Sequence, residues 1–212
     1  MGVSPFRFAS VTVLGAGLVL APAGMDMRAA AVAESPGIAG ELTGQLLVAT
    51  PILPDPRFMR TVIYMVRHDE AGAMGLVLNR PMSEVPLARL LDQLGIESEG
   101  VTANIRLHYG GPVQRERGLV LHTGDYRGKS TEPIKDGVAL TWEPEIFRAI
   151  AAGAGPRRRL VVLGYSGWGA GQLESEMRAG HWVVVPADEE LLFGDDYDGK
   201  WSRAMARLKI NL

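Results

Sequence analysis

"LVVLGYSGWGAGQLESEM", residues 160–177, decides how this chain is read. An apolar run ends among Gly164, Gly167, Gly169 and Gly171, then becomes an amphipathic segment. Strand, glycine turn and helix in that order is how phosphate loops and nucleophile elbows are built. The details match neither. An elbow requires G-x-S-x-G, and Gly164-Tyr165-Ser166-Gly167-Trp168 places Trp168 at the second glycine. The glycine spacing does not give G-x-G-x-x-G, and no Gly-Lys-Ser or Gly-Lys-Thr closes a Walker loop. What remains is backbone that can approach other backbone closely, and free amides at a helix N-terminus. Trp168 then reads as a core plug first and a groove wall second. Gln172, Glu174 and Glu176 read as a solvated helix face before ligand contacts.

Outward from this stretch the chain alternates clusters of strands with helices. Strands are expected at Gly44–Thr50, Arg60–His68, Gly75–Asn79, Arg106–Tyr109, Gly118–His122 and Leu160–Gly164, and in "HWVVVPA". "DEAGAMG" is expected as a loop, and "PILPDPR" can only be one. Helices are expected in "PLARLLDQLG", with Leu87, Leu90, Leu91 and Leu94 on one face and Gly95 ending it. A second follows Pro144, with Ile146, Phe147 and Ile150 inward. A third runs from about Gly171 to Ala179, and a fourth near Lys200–Lys209 buries Trp201, Met205 and Leu208. Strands in clusters, rather than strict β-α-β alternation, predict an α+β fold.

Composition narrows the chemistry. The chain has 212 residues, no cysteine and a formal charge of −2. A disulfide scaffold, a thiolate metal site and a cysteine nucleophile are therefore excluded. His68, His108, His122 and His181 have no zinc-ligand spacing, so no metal or cofactor is expected. The carboxylates at Asp188–Glu190 and Asp195–Asp198 lack calcium-loop spacing and read as solvated loops. Arg157, Arg158 and Arg159 form the basic run, read as solvated. With this charge, direct nucleic-acid binding is not expected.

The N-terminus is different in kind. Arg7 precedes an apolar run from Ala9 to Ala21, too short to span a bilayer. Ala31-Val32-Ala33 follows as an A-x-A site cleaving before Glu34. Residues 1–33 thus read as a secretory signal peptide, with a start site called too far upstream as the alternative. Residues 34–43 are expected as a flexible segment and 44–212 as one domain. Export to the periplasm is slightly favoured over the cytoplasm.

Six motifs in order carry a resemblance. They are "GQLLVATPILPDPRFMRTVIYMVRH", "GAMGLVLNRP", "YGGPV", "LVLH", "GYSGWGAGQLESEMRAGHW" and "LFGDDYDGKWSRAM". Together, over Gly44 to Leu208, they resemble the YqgE/AlgH family of bacterial proteins, also called UPF0301 or DUF179. The resemblance implies an α+β fold with a bifurcated, partly barrel-like mixed sheet flanked by helices. It implies no catalytic residue, cofactor or metal. The family is named for a member linked to regulation of alginate synthesis, and members are described as transcriptional regulators. No helix-turn-helix or basic face here supports direct DNA binding.

Carried over by position, the family pattern falls on Phe58, Arg60, His68, Asn79, Arg80 and Pro81, then on Gly110, Gly111 and Pro112. Its signature falls on Gly164, Gly167, Trp168, Gly169, Gln172, Leu173, Glu174, Glu176 and Trp182. Ser166 stands where alanine is common, which counts against hydrolase chemistry. The leader is a second departure, since most members look cytosolic. The expected function is a non-catalytic binding or regulatory protein. Its groove, near Trp168, Gln172, Arg60 and Asn79, would engage a small anionic ligand or a protein segment. The alternative is a hydrolase or transferase using His68 and Ser166, or the Glu174/Glu176 pair.

Overall fold

The computed structural model describes residues 42–208. The leader and most of segment 34–43 lie outside the described residues, as does Lys209. The chain begins with β1 (Gln45–Ala49), a 3-10 turn at Pro56–Phe58, β2 (Val62–Asp69), β3 (Gly72–Val77) and β4 (Pro81–Pro86). Helix α1 (Leu87–Gln93), β5 (Asn104–Tyr109), β6 (Val113–Thr123), β7 (Thr131–Lys135), β8 (Val138–Thr141) and α2 (Glu145–Ala151) follow. The last third holds β9 (Arg159–Gly169), α3 (Gln172–Arg178), β10 (Trp182–Pro186), α4 (Glu189–Phe193) and α5 (Lys200–Leu208). The fold is α+β, a curled half-barrel sheet with helices around it.

Strand β9 is the trunk of this sheet. The main path runs β10-β1-β2-β3-β9-β6-β8-β7, and the β4-β5 pair joins at β9. Antiparallel pairing holds throughout, except that β5 runs parallel to β9. The first half of β9 pairs with β5 through Val161–Leu163, and its second half pairs with β3 through Ser166–Gly169. The sheet therefore forks along one edge of β9.

The glycines make the fork possible. Gly110 donates its N–H to Leu163 O at 2.9 Å and accepts from Val77 N–H at 3.0 Å, so it bridges the two branches. A Cβ on Gly110 would overlap the Gly164 carbonyl, and one on Gly111 would overlap the Tyr165 carbonyl. Gly164 itself sits at φ +71°, where only glycine is unstrained. Strand β9 consequently does not stop at Gly164, as the sequence suggested, but runs on to Gly169. Only Ala170 and Gly171 turn the chain into α3.

Among the described residues three apolar clusters form the core. Leu46, Val48, Tyr64 and Leu76 face α4 and α5, whereas Leu47, Ile63, Met65 and Val77 face Trp168 and α3. Strands β1 to β3 are thus buried on both faces, which is why they read as unbroken apolar runs. A third cluster packs α1 and α2 on Ile105, Val120 and Val161.

Several expectations change. "DEAGAMG" is mostly strand, because Asp69 pairs with Gly72 and only Glu70 and Ala71 turn. Val113 of "GGPV" already belongs to β6. Strands β4 and β7 carry prolines and escaped notice; both sit at sheet edges, where a missing N–H costs no ladder bond. Leu94 is exposed because it caps α1 rather than extending its apolar face. The acidic run at 188–190 is not loop. Asp188 caps α4 by accepting from Leu191 N–H at 2.8 Å. In α5 the fully buried residues are Lys200 and Ala204, and Trp201, Met205 and Leu208 are only half-buried. In the arginine run Arg157 is paired, on both oxygens of Glu189 at 2.8 and 2.9 Å, while its side chain stays largely exposed.

Candidate functional site

Helix α3 begins where β9 ends, and its side chains are spent on neighbours. Gln172 Oε1 accepts from Gly169 N–H at 3.1 Å, and Gln172 Nε2 donates to Glu176 Oε1 at 2.9 Å. Glu176 Oε2 accepts both the Trp168 indole N–H, at 3.0 Å, and the Trp182 indole N–H, at 2.7 Å. Trp168 is 4% exposed, so its first role is core. Its rim, with Phe58, Gln172, Glu176, His181 and Trp182, lines a cavity of about 290 Å³. Trp168 is thus a core residue whose edge also borders a cavity.

His68 reaches the same side of the sheet through a bulge. The register of β2 slips between Met65 and Arg67, which shifts the side-chain alternation by one residue. His68 then points at α3, where its Nε2–H donates to Glu174 Oε1 at 2.8 Å. Its Nδ1 is buried without a partner among the described residues. Ser166, 1% exposed, donates its hydroxyl to Gly110 O at 3.3 Å. None of the described hydrogen bonds joins His68 to Ser166, and Glu174 and Glu176 are held by different partners. The elements of the alternative catalytic reading are not assembled into a nucleophile–base pair.

Arg60, Asn79 and Arg80 form a separate corner. Asn79 Oδ1 accepts from Val62 N–H and its Nδ2 donates to Arg60 O, each at 2.9 Å. The amide thereby extends the ladder past the end of β3. Arg60 takes φ +54° and lays its guanidinium over the Trp201 ring, 4.8 Å from the centroid. Arg80 donates to Met59 O at 2.6 Å. These residues line a cavity of about 470 Å³ with Pro56, Asp198 and Trp201. The groove expected from Trp168, Gln172, Arg60 and Asn79 is thus split in two.

A third cavity, of about 550 Å³, bridges the halves. It shares Arg57 and Pro112 with the tryptophan cavity, and Pro56 and Arg80 with the arginine corner. Pro81, Met82, Tyr109 and Arg115 complete it, and its Arg57 is held by both oxygens of Asp55 at 3.0 and 2.6 Å. Gly110 and Gly111 set its position by fixing where Pro112 emerges from the fork. Arg57, Tyr109, Met82 and Arg115 were not singled out in the sequence. The "PDPR" run was a usable signal for Arg57, since Pro54 and Pro56 restrict the backbone that leads into it. Nothing local marks Arg115.

His122 is structural in its contacts. His122 Nδ1–H donates to Thr123 O at 2.7 Å, leaving Nε2 to accept from Thr141 Oγ1 at 2.9 Å. Burial lowers its pKa, and burial takes that of His108 to about 4. Among the described residues no group of three or more His, Asp or Glu side chains is placed to hold a metal ion.

With this geometry established, comparison gives the family. The family model for DUF179, described as AlgH-like, matches residues 46–212. A UPF0301 protein of Rhodospirillum rubrum is 46% identical over 172 residues, covering 81% of this chain and 90% of that protein. A UPF0301 protein of Caulobacter vibrioides is 49% identical over 171 residues, covering 80% and 88%. The solution structure of AlgH from Pseudomonas aeruginosa superposes with a TM-score of 0.69 at 40% identity, covering 82% and 92%. A Corynebacterium diphtheriae protein shares the fold at 20% identity and a TM-score of 0.60, covering 78% and 86%. None of these names states a reaction. The chain belongs to the AlgH-like, UPF0301 family.

Proposed function

We propose that this protein is a non-catalytic binding protein that recognises an acidic peptide segment carrying an apolar side chain. The recognition face is the surface around residues 54–60, where the three cavities meet. One observation carries the reading: Arg80 and Arg115, beside an Arg57 held by both oxygens of Asp55, border a cavity of about 550 Å³ that also has an aromatic and a methionine wall. Its surroundings are apolar as well, since Ile52, Met59 and Met82 are 66%, 56% and 55% exposed. Guanidinium groups around an apolar floor suit a ligand with both charge and a hydrophobic anchor. Methionine adapts to varied partners better than branched side chains do.

Selection of random peptides against the protein tests this. Enrichment of sequences pairing Asp or Glu with an apolar residue supports the reading, with binding lost at least tenfold in Arg115→Glu. Arg115 is suited to the test because it is exposed and outside the core clusters. Peptides without acidic bias, or equal binding to the variant, contradict it. Selective binding of small anions alone would reduce the ligand to an anion without an anchor.

Regulation would follow from occupying or releasing such a partner, with no contact to DNA. The leader supports an exported chain beginning at Glu34, which would place the partner in the cell envelope. The intact mass of the native protein decides between that start and one at Met25 or Met27. No helix among the described residues is long and apolar enough to cross a membrane.

A further inference from the structure

A separate cavity of about 430 Å³ lies between β5, the start of β9 and the segment after α4. It shares only Tyr197 with the cavities of the recognition face. Arg106 and His108 come from one face of β5, and the run Arg157–Arg159 enters from the start of β9. Phe193, Asp195 and Tyr197 close the other side. Arginines outnumber carboxylates in the lining by four to two.

These arginines are not equally neutralised. Arg157 is held by both oxygens of Glu189 and is spent. Arg158 reaches Glu189 and Glu190 only at 3.9 and 4.0 Å, and Arg106 reaches Glu84 only at 3.6 Å. Arg159 donates to Pro156 O at 3.3 Å, and no carboxylate of the described residues lies within ion-pair distance of it. A guanidinium carries five N–H donors, so Arg106, Arg158 and Arg159 retain donors for an anion. Planar forks arriving from two strands suit the several oxygens of a phosphate better than the two of a carboxylate.

The floor supplies an independent requirement. His108 is 2% exposed, and its Nδ1–H donates to Val161 O at 3.2 Å. Nε2 is therefore a lone-pair acceptor, and it has no partner among the described residues. The imidazole is covered by the Tyr197 ring, 5.0 Å between centroids. Tyr197 is held at its hydroxyl by Asp195 Oδ1 at 3.1 Å. A buried acceptor beside a set of unspent cations calls for a ligand that is anionic at one end and a hydrogen-bond donor at the other.

We propose that this cavity binds a phosphomonoester carrying a nearby hydroxyl. Arg106, Arg158 and Arg159 hold the phosphate, and the hydroxyl donates to His108 Nε2 as the Tyr197 ring turns aside. The basic run read from the sequence as solvated is then the positively charged wall of a site. A phosphorylated sugar in solution and a phosphate-bearing lipid headgroup share this chemistry.

Calorimetric titration at low salt with ribose 5-phosphate tests the site, alongside ribose, inorganic phosphate and vesicles containing phosphatidic acid. The expected result is saturable binding of ribose 5-phosphate and none of ribose. The double variant Arg158→Gln/Arg159→Gln is expected to weaken binding at least tenfold, and Arg115→Glu, on the recognition face, to leave it unchanged. The His108 Nε2 nitrogen signal is expected to move with ribose 5-phosphate and not with inorganic phosphate. Binding confined to phosphatidic acid vesicles, and lost in the double variant, assigns the phosphomonoester to a lipid. Absence of both kinds of binding at about 10 mM phosphate ligand, or binding indifferent to the double variant, overturns the site. Equal affinity for inorganic phosphate with a stationary His108 signal overturns the hydroxyl contact. Because Arg115 lies elsewhere, failure here leaves the peptide-binding face untouched, and the reverse.

Discussion

The indoles of Trp168 and Trp182 meet edge to face, 5.9 Å between centroids at 83°. Both donate to the same oxygen of Glu176. One carboxylate thus ties the end of β9, the start of β10 and helix α3 into a single unit.

Removing that carboxylate leaves two buried indole N–H groups without acceptors. Glu176→Ala is expected to cost about 2–4 kcal/mol, since each unpaired buried donor costs roughly 1–3 kcal/mol. Glu176→Gln, which keeps one acceptor oxygen, is expected to cost less. Urea unfolding of the two variants checks the order; an Ala variant as stable as wild type would show the indoles to be solvated.

Asn79 offers a second, local measurement. Its amide stands in for the backbone of a neighbouring strand, accepting from Val62 N–H and donating to Arg60 O. Asn79→Ala is expected to cost about 1–2 kcal/mol and to raise hydrogen exchange at Val62 more than at Leu46. Exchange that rises equally at both positions would mean the amide is not a local clamp.

Glycines of the signature should differ sharply in tolerance. A Cβ at Gly111 meets the Tyr165 backbone, whereas one at Gly169 meets nothing within 4 Å. Gly111→Ala is expected to prevent stable folding, a loss of roughly 4 kcal/mol or more. Gly169→Ala, with an ordinary φ, is expected to stay within about 1 kcal/mol of wild type. Soluble yield and thermal unfolding of the pair distinguish a packing role for the fork from a merely flexible loop.

Acid should destabilise the fold through its neutral histidines. Burial holds the His108 pKa at about 4 and lowers that of His122. Unfolded, both take up a proton near pH 6.5. Between pH 6.5 and 4 the unfolded chain therefore binds more protons, so stability falls as the pH falls. His108→Gln is expected to flatten this fall by about 2 kcal/mol between pH 7 and 4. The quantity read is the slope of unfolding free energy against pH, whatever the variant's stability at pH 7.

Much of this architecture was legible because periodicity is local. The helix after Pro86, with Leu87 and Leu91 buried, and the double-faced strands β1 to β3 announce themselves in apolar spacing. What escaped depends on partners far along the chain. Prolines concealed β4 and β7, which tolerate them only because they are edges. The bulge that brings His68 to Glu174 adds one residue to a strand, and no composition marks it. The site was legible in part for the same reason. Trp168, Gln172, Arg60, Asn79 and Arg80 were singled out in the sequence, but they line two separate cavities rather than one groove. Lys200, fully buried, donates to Leu191 O at 2.8 Å at the end of α4, an arrangement invisible to a helical apolar pattern.

The proposed recognition face is tested most directly by backbone amide NMR of the labelled protein titrated with a selected acidic-apolar peptide. Shifts clustered at Arg57, Met59, Arg80, Met82 and Arg115 are the predicted result. Shifts confined to Arg106, Arg158 and Arg159, or spread without a focus, would contradict it.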